Sequence, residues 1–279
     1  LVVLFVSFFS ISTAENYDVV VYGSTSAGVT AAVQASRMEK DVLLISRDDH
    51  IGGLTSSGLG ATDINRHKAI GGMAREFYQR VYDYYKKPSA WEYSDREEYF
   101  KSIIHRIYTG RSEELKMQWV FEPHIAEMIL KDMLLEAGVN VMFGERLNLS
   151  KDVKKKGSRI TSIEMESGLE VNAKIFIDAT YEGDLMAKAG IDYIVGRESN
   201  DTYDEKYNGV IINDNWNHIY GRGKKSIDPY IVPGVPSSGL LPYIESEIRG
   251  EPGSGDNGVQ AYCFRITLTD DPANQIPIT

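Results

Sequence analysis

The sequence predicts an α/β protein whose first domain is Rossmann-like and built on a parallel sheet. The run 19–22 is continuously apolar, as expected of a parallel strand that is covered on both faces. A glycine turn, GSTSAG at 23–28, follows it, and small residues at helical spacing then predict a helix over 26–38. A second apolar run, DVLLI at 41–45, completes a βαβ unit.

The next part of the first domain continues the alternation of helix and strand. A helix is predicted over 73–86, where apolar side chains recur on one face. Residues 87–118 are polar and aromatic with little periodicity, which indicates a helical excursion from the sheet. A second helix over 122–137 has a proline suited to its first turn, and a strand at 139–143 follows it.

A β-hairpin insertion is predicted after these elements. The segments 160–166 and 169–174 are strand-like, and the turn Ser167–Gly168 separates them. The chain then runs into another buried strand at 175–179. We therefore expect the first domain to extend over 15–190.

The composition changes beyond the first domain. Residues 196–260 are rich in Gly, Asn, Asp, Pro and Tyr and have weak periodicity, whereas 259–269 alternates as a strand does. These features predict that 191–279 begins a second, mostly β domain. Because the chain stops without closing that domain, we expect it to be incomplete.

Composition and charge narrow the classes of function. The 279 residues are 42% hydrophobic, which is ordinary for a globular protein, and the formal net charge is −10. The densest basic run is KDVKKK at 151–156, so we expect no binding to nucleic acid or to an anionic membrane. The single cysteine, Cys263, excludes an internal disulfide, a cysteine-ligated zinc site and an iron–sulfur cluster, and we predict no metal.

The N-terminal segment 1–14, LVVLFVSFFSISTA, is almost wholly apolar and ends in small residues. Ser12 and Ala14 stand at the −3 and −1 positions of a cut after Ala14, which is typical of a secretory signal peptide. The segment is shorter than the roughly 20 apolar residues that span a bilayer, so no stable membrane insertion is expected. The sequence predicts a secreted or periplasmic protein.

The turn GSTSAG resembles the dinucleotide fingerprint G-x-G-x-x-G with one change. Gly23 and Gly28 have the spacing of its first and third glycines, and Thr25 stands in place of the second. The residues between them are small, so an anion could still reach the N–H groups at the start of the helix. On this turn alone, a nucleotide site and an ordinary strand–loop–helix junction are equally open.

The end of the second strand lacks the acidic residue that usually binds ribose hydroxyls about 20 residues after the first glycine. Ser46 and Arg47 stand there instead. The Ser46 hydroxyl can hydrogen-bond a ribose hydroxyl, and Arg47 can face a phosphate, which would suit a 2′-phosphate nucleotide.

Several further motifs stand in order along the chain. They are YGSTSAG (22–28), HIGG (50–53), GLGATD (58–63), IGGMAREFYQRV (70–81), FEPHIAEMIL (121–130), IFIDATYEGDLMAKAG (175–190) and GRES (196–199). Together they resemble a family of FAD-dependent oxidoreductases built on the glutathione-reductase-like fold. The branch to which the chain is most similar is the secreted group loosely called xanthan-lyase-like, and it is more distantly similar to the flavin subunit of heterodisulfide reductase.

The resemblance implies FAD as the cofactor and assigns residues to it. It places the adenosine ribose at Ser46 and Arg47 and the adenine at Leu147. The family's Ala-Thr-Gly position falls on Ala179 and Thr180, and Tyr181 replaces the glycine. The pyrophosphate is assigned to Gly23, Ser24, Thr25, Ser26, Ala27 and Gly28, and the passage towards the flavin to Gly52 and Gly53, with Thr55 in the same loop. The family's C-terminal Gly-Asp motif is absent, so we expect the FAD-binding domain to lack its C-terminal part.

The predicted function is hydride transfer between FAD and a small organic substrate, such as a sugar-derived compound, with an unidentified electron acceptor. Asp63, Arg197 and Arg265 are the candidate substrate residues, and no side chain is identified as the catalytic base. Two alternatives stay open: a NAD(P)-dependent Rossmann dehydrogenase, and a non-catalytic nucleotide-binding fragment.

Overall fold

A computed structural model describes residues 15–62, 66–101, 110–211, 228–242, 244–245, 250–259 and 265–276. The predicted signal segment 1–14, Asp63 and Cys263 lie outside these residues. The described chain divides into two compact units, one up to Asp192 together with 265–276, and one from Tyr193 to 259. No helix in the described chain is long and apolar enough to cross a membrane.

Within the described residues, the first unit has a central six-stranded sheet, a separate pair of short strands and five α-helices. The strands are β1 (Glu15–Tyr22), β2 (Val42–Ile45), β3 (Arg111–Ser112), β4 (Met117–Gln118), β5 (Asn140–Met142), β6 (Lys154–Lys156), β7 (Arg159–Glu164) and β8 (Glu170–Asp178). The helices are α1 (Ser26–Arg37), α2 (Gly72–Tyr84), α3 (Arg96–Lys101), α4 (Pro123–Ala137) and α5 (Asp184–Lys188). The order in the large sheet is β5-β2-β1-β8-β7-β6, and β3 pairs with β4 separately.

The centre of the large sheet is parallel, as the continuous apolar runs predict. β1 pairs in parallel with β2 on one side and with β8 on the other, and β2 pairs in parallel with β5. The hairpin of β6 and β7 is attached in antiparallel fashion to β8. The prediction of an α/β, Rossmann-like domain with a parallel sheet and a hairpin insertion is confirmed.

Side chains of β1 alternate between two layers of core. Val19 and Val21 pack into the layer that contains α1, α2 and α4, whereas Val20 and Tyr22 pack into a smaller layer with the hairpin and α5. Both layers exclude water from β1, because none of these four side chains is more than 6% exposed. Burial on both faces explains why the strand reads as one apolar run rather than as an alternating one.

The structure corrects three expectations. The segments 169–174 and 175–179 are one strand, β8, and Ile175 is 57% exposed, because β7 pairs only with the first residues of β8. Residues 265–269, the described end of the strand predicted over 259–269, form no strand. Ile266 and Leu268 are both exposed, so this segment does not alternate between buried and exposed side chains as a paired strand would. In the described part of the second unit, β pairing is limited to two isolated bridges, Arg197–Asp256 and Tyr230–Leu240.

An ion network ties three helices of the first unit together. Arg37 of α1 lies 2.7 Å from the Glu76 carboxylate of α2, and Arg80 joins Glu76 to Glu136 of α4 at 2.9 and 2.6 Å. Hydrogen bonds from Arg37, and then from Arg80, lower the pKa of Glu76 to about 2. The charged form of Glu76 is therefore more stable in the folded protein than in the unfolded chain.

We expect E76Q to lower the free energy of unfolding at pH 7 by about 1–2 kcal/mol, since the network is partly exposed and screened by water. Because the pKa of Glu76 is lowered on folding, its contribution is complete above 4.5 and is lost as the pH falls from there to about 2. Urea denaturation at pH 7 and pH 3 measures both effects. E166Q, which changes an exposed carboxylate outside the network, is the control; an equal loss in both variants would contradict the prediction.

Candidate cofactor site

Three loops meet where β1, β2 and β8 end. The turn after β1 is bonded to both neighbours, since Gly23 N donates to Ile45 O at 2.9 Å and Ala179 N donates to Tyr22 O at 2.8 Å. The glycine loop after β2 returns to the same turn, because Gly52 N donates to Ser24 O at 2.7 Å. Loops at the carboxyl ends of adjacent parallel strands are where α/β proteins bind their ligands. We call this meeting place, residues 23–28, 52–54 and 179–181, the cradle.

Thr25, the residue that departs from the fingerprint, is the N-cap of α1. Its hydroxyl accepts a hydrogen bond from Gly28 N at 3.2 Å and donates one to Ala179 O at 2.7 Å. The single hydroxyl proton is therefore used within the protein, and we expect Thr25 to hold the cradle together rather than to donate to a phosphate. The preference for Thr at N-caps is the local signal that could have predicted this role.

The two outer glycines of the turn leave no room for a side chain. A Cβ on Gly28 would lie 1.9 Å from Gly23 O, and a Cβ on Gly23, whose φ is +107°, would lie 2.7 Å from the Ala179 carbonyl carbon. Helix α1 therefore begins in close contact with β1 and β8, as the third glycine of the fingerprint requires.

The beginning of α1 is open to a ligand. Ala27 is exposed and Ser26 is half-buried, and the first N–H groups of a helix have no partner within it. The macrodipole of a 12-residue helix adds a partial positive charge at this end. Small side chains, first-turn N–H groups that have no partner within the helix, and close backbone packing are what a diphosphate needs, so these residues fit the pyrophosphate of FAD.

The loop after β2 is fastened to α4 through His50. The Nε2 atom of His50 lies 3.0 Å from Ser56 Oγ and 2.9 Å from Ser57 Oγ, and its Nδ1 atom lies 3.3 Å from a carboxylate oxygen of Glu127. Glu127 also accepts from Ile51 N at 3.2 Å. These contacts give His50 a structural role in shaping the glycine loop.

The loop after β8 is held by Asp178. One of its carboxylate oxygens accepts from both the N–H and the hydroxyl of Thr180, and the other accepts from Met186 N at 2.9 Å in the first turn of α5. The hydroxyl of Tyr181 accepts from Leu54 N at 2.8 Å, which joins this loop to the glycine loop. The loop therefore crosses from the end of β8 to the segment that follows β2.

Ser46 and Arg47, the two residues assigned to the ribose, have opposite environments. Ser46 is 0% exposed, and its hydroxyl is bonded to Ser24 Oγ at 2.7 Å and to Asp48 O at 2.6 Å. Its side chain therefore has no surface for a ribose in this structure. Arg47 is exposed, and its hydrogen bonds to Glu182 and then to Asp48 raise its pKa.

Other predicted residues fall inside and outside the cradle. Gly53 and Thr55 lie in the short 3₁₀ helix Gly53–Ser56, next to the cradle turn. Leu147 is buried, and its N–H donates to the Tyr22 hydroxyl at 3.0 Å, so that N–H is already used.

Two of the three candidate substrate residues lie within the described chain. Arg265 is exposed, and its backbone packs against Gly58, because a Cβ on Gly58 would lie 2.5 Å from Arg265 O. Arg197 belongs to the second unit, where its guanidinium pairs with the Asp256 carboxylate. These roles stay predictions. Within the described residues, no group of three His, Cys, Asp or Glu side chains is placed to hold a metal ion.

Two contacts at and beside the cradle were not predicted from the sequence. Tyr181 contacts Leu54 and Glu182 contacts Arg47, which are 127 and 135 positions away along the chain. No local pattern signals such contacts, so they became visible only in the folded chain.

Comparison with solved structures gives several distant likenesses. The chain is 17% identical to L-proline dehydrogenase from P. horikoshii (67% of this chain, 59% of that one, TM-score 0.42), 13% identical to L-amino acid deaminase from Proteus vulgaris (70% and 54%, TM-score 0.42) and 12% identical to glycine oxidase from Bacillus cereus (61% and 57%, TM-score 0.38). These scores are too low to carry an argument about fold or activity. No curated protein sequence matches the chain.

The chain spans between about half and three fifths of the length of these structural relatives. By contrast, the family model described as FAD dependent oxidoreductase matches residues 18–279, which is nearly all of the chain and includes every loop of the cradle. The chain belongs to the FAD-dependent oxidoreductase family, and FAD is the cofactor of that family.

Proposed function

We propose that this protein is an oxidoreductase that binds FAD in the cradle and transfers hydride between the flavin and a small organic substrate. The observation that carries the proposal is the hydrogen-bonded meeting of three loops at the open N-terminus of α1, in a chain that belongs to an FAD family. Bound FAD supplies the hydride chemistry, whereas the protein binds and orients the cofactor.

Individual residues of the cradle have separate tasks in this proposal. The N–H groups of Ser26 and Ala27 hold the pyrophosphate at the positive end of α1. Thr25 fixes the start of α1 to Ala179, and Tyr181 fixes the loop after β8 to Leu54. The cofactor is thereby held in a site formed by segments that are fastened to each other, which limits its motion towards solvent.

The substrate and the branch of the family are narrower parts of the same proposal. We propose sugar-derived compounds as the first substrate class to test, because the motifs resemble those of the secreted, xanthan-lyase-like branch most closely and those of the heterodisulfide reductase flavin subunit more distantly. An external electron acceptor would complete the reaction, and its identity is open to the same screen.

The purified protein is expected to be yellow, or to become so on incubation with FAD, and to release FAD on denaturation. The visible spectrum and chromatography of the released cofactor measure this. Anaerobic bleaching of the flavin by one member of a panel of sugars and amino acids would then identify the substrate class. A folded protein that stays colourless with FAD contradicts the proposal, and a yellow protein that no substrate bleaches favours a non-catalytic nucleotide-binding role.

We also propose export to the periplasm or the exterior of the cell. The support is the apolar segment 1–14 with Ser12 and Ala14 at the cleavage positions. Mass spectrometry of the protein expressed in its host should find Glu15 at the N-terminus of the exported form. Retention of residues 1–14 on a cytoplasmic protein would contradict this assignment.

A further inference from the structure

The end of β2 offers no acidic side chain to a nucleotide. Ser46 is fully buried and its hydroxyl is bonded to Ser24 and Asp48, while Arg47 extends towards solvent. Nucleotide sites of this fold usually place a carboxylate here, because two ribose hydroxyls are donors that an ionised acid accepts well. The cradle therefore needs its carboxylate from another segment if it is to bind the ribose in the same way.

Glu182 brings a carboxylate to this position from the loop after β8. Its Oε1 atom accepts from Arg47 Nη1 at 2.8 Å, across 135 positions of sequence. The side chains of Arg47 and Glu182 are each about half exposed, so a ligand can reach them. Among the described residues, Arg47 is the one donor to the Glu182 carboxylate, which leaves acceptor capacity on Oε2.

The loop that carries Glu182 is fixed relative to the cradle on both sides of the residue. Before it, Ala179 O is bonded to the Thr25 hydroxyl and the Tyr181 hydroxyl is bonded to Leu54 N. After it, Gly183 N donates to the Thr180 hydroxyl at 2.9 Å. Glu182 is thus held beside the turn 23–28, where the pyrophosphate is proposed to bind, and its position does not depend on Arg47 alone.

Asp48 is the other carboxylate near Arg47, and it is shared between two arginines. It lies 3.3 Å from Arg47 Nε and 3.5 Å from Arg146 Nη2, so it stands between two arginines. Asp48 also belongs to the segment that leaves β2, and no hydrogen bond of its side chain joins it to the cradle within the described chain. Of the two acids, Glu182 is the one whose carboxylate has a single arginine partner among the described residues.

We propose that Glu182 is the carboxylate that binds the adenosine ribose hydroxyls of FAD, and that Arg47 orients it. This inference rests on the proposed binding of FAD in the cradle. The acid that the usual fingerprint has at the end of β2 would thereby come from the loop after β8, where a salt bridge joins Glu182 to Arg47, the residue that follows Ser46.

The test compares ADP with 2′,3′-dideoxy-ADP by isothermal titration calorimetry on the wild-type protein, E182Q and D48N. D48N is the matched control, because it removes the other carboxylate bonded to Arg47 with the same change of charge. We expect the wild type and D48N to bind ADP roughly tenfold more tightly than the dideoxy analogue, and E182Q to bind both alike. E182Q should also bind FAD about tenfold more weakly than the wild type.

The inference would be overturned by equal affinity of the wild type for both nucleotides, by an unchanged ADP preference in E182Q, or by the same loss in D48N. Thermal unfolding of each variant shows that it is folded. E182D, which keeps the charge and shortens the side chain, is the second variant, and an unchanged preference in it would also count against Glu182. A wild-type protein that binds neither FAD nor ADP contradicts the proposed function itself, which separates the two failures.

Discussion

Replacement of Gly28 by alanine is expected to lower the free energy of unfolding by more than about 3 kcal/mol and to abolish FAD binding. The added Cβ would lie 1.9 Å from Gly23 O and 3.2 Å from the Ala179 Cβ. The first of these atoms is backbone of the turn, so it cannot move aside as the end of a flexible side chain can. Helix α1 would have to shift away from β1, and the cradle would lose its shape.

Urea denaturation followed by circular dichroism measures the loss of stability, and fluorescence titration with FAD measures the loss of binding. Gly71→Ala is the control, because Gly71 is the N-cap of α2, has an extended φ of −131°, and would place its Cβ with nothing within 4 Å. We expect G71A to cost less than about 1 kcal/mol and to bind FAD as the wild type does. Similar losses of stability and of FAD binding in G28A and G71A would show that the close packing at Gly28 is not the cause of the loss.

Thr25→Val is expected to lower the free energy of unfolding by about 2–3 kcal/mol and to weaken FAD binding at least tenfold. Valine keeps the shape of threonine but removes the hydroxyl, so it breaks both the bond from Gly28 N and the bond to Ala179 O. Thr25 is 9% exposed, so the N–H and the carbonyl that remain have little access to water in exchange. The loop after β8 would then be less firmly held against the cradle turn.

Thr25→Ser keeps the hydroxyl and is the control, with an expected loss below about 1 kcal/mol. Thr25→Gly would restore the usual fingerprint, yet we expect it to destabilise the protein by about 1–2 kcal/mol, because it removes the same two bonds. Thr25 has φ −62°, which any residue adopts, so a glycine gains nothing there. If T25G were as stable as the wild type in urea denaturation, the capping role assigned to Thr25 would be wrong.

The βαβ unit was predictable from the sequence because its signals are local. A strand buried on both faces needs a continuous apolar run, and a helix packed on it needs small residues, so β1, α1 and β2 are all visible in residues 19–45. The strand predicted over 259–269 had similar local alternation, yet 265–269 pairs with nothing in the described chain. Alternation shows that a segment can form a strand, whereas the partner must come from elsewhere in the chain.

The candidate site was predictable only in part for the same reason. The glycines of the cradle stand out because backbone contact requires them, and Gly23 and Gly28 lie where the pattern expects them. The burial of Ser46, by contrast, depends on Ser24 and on the loop after β2. The pairing of Arg47 with Glu182 depends on strand order, which sequence spacing does not reveal.

The parallel pairing of β1 with β8 has a consequence for how the protein is made. Asn16 and Asn172 are neighbours in the sheet but stand 156 positions apart in the chain. During synthesis, β1 leaves the ribosome long before its partner strand exists. The side of β1 that pairs with β8 stays unpaired until residues up to Asp178 have been made. Contacts of such high sequence separation slow folding and expose intermediates to aggregation. The nascent chain therefore leaves this side of β1 unpaired until β8 emerges, and the cradle cannot be completed before residues 179–181 have been made.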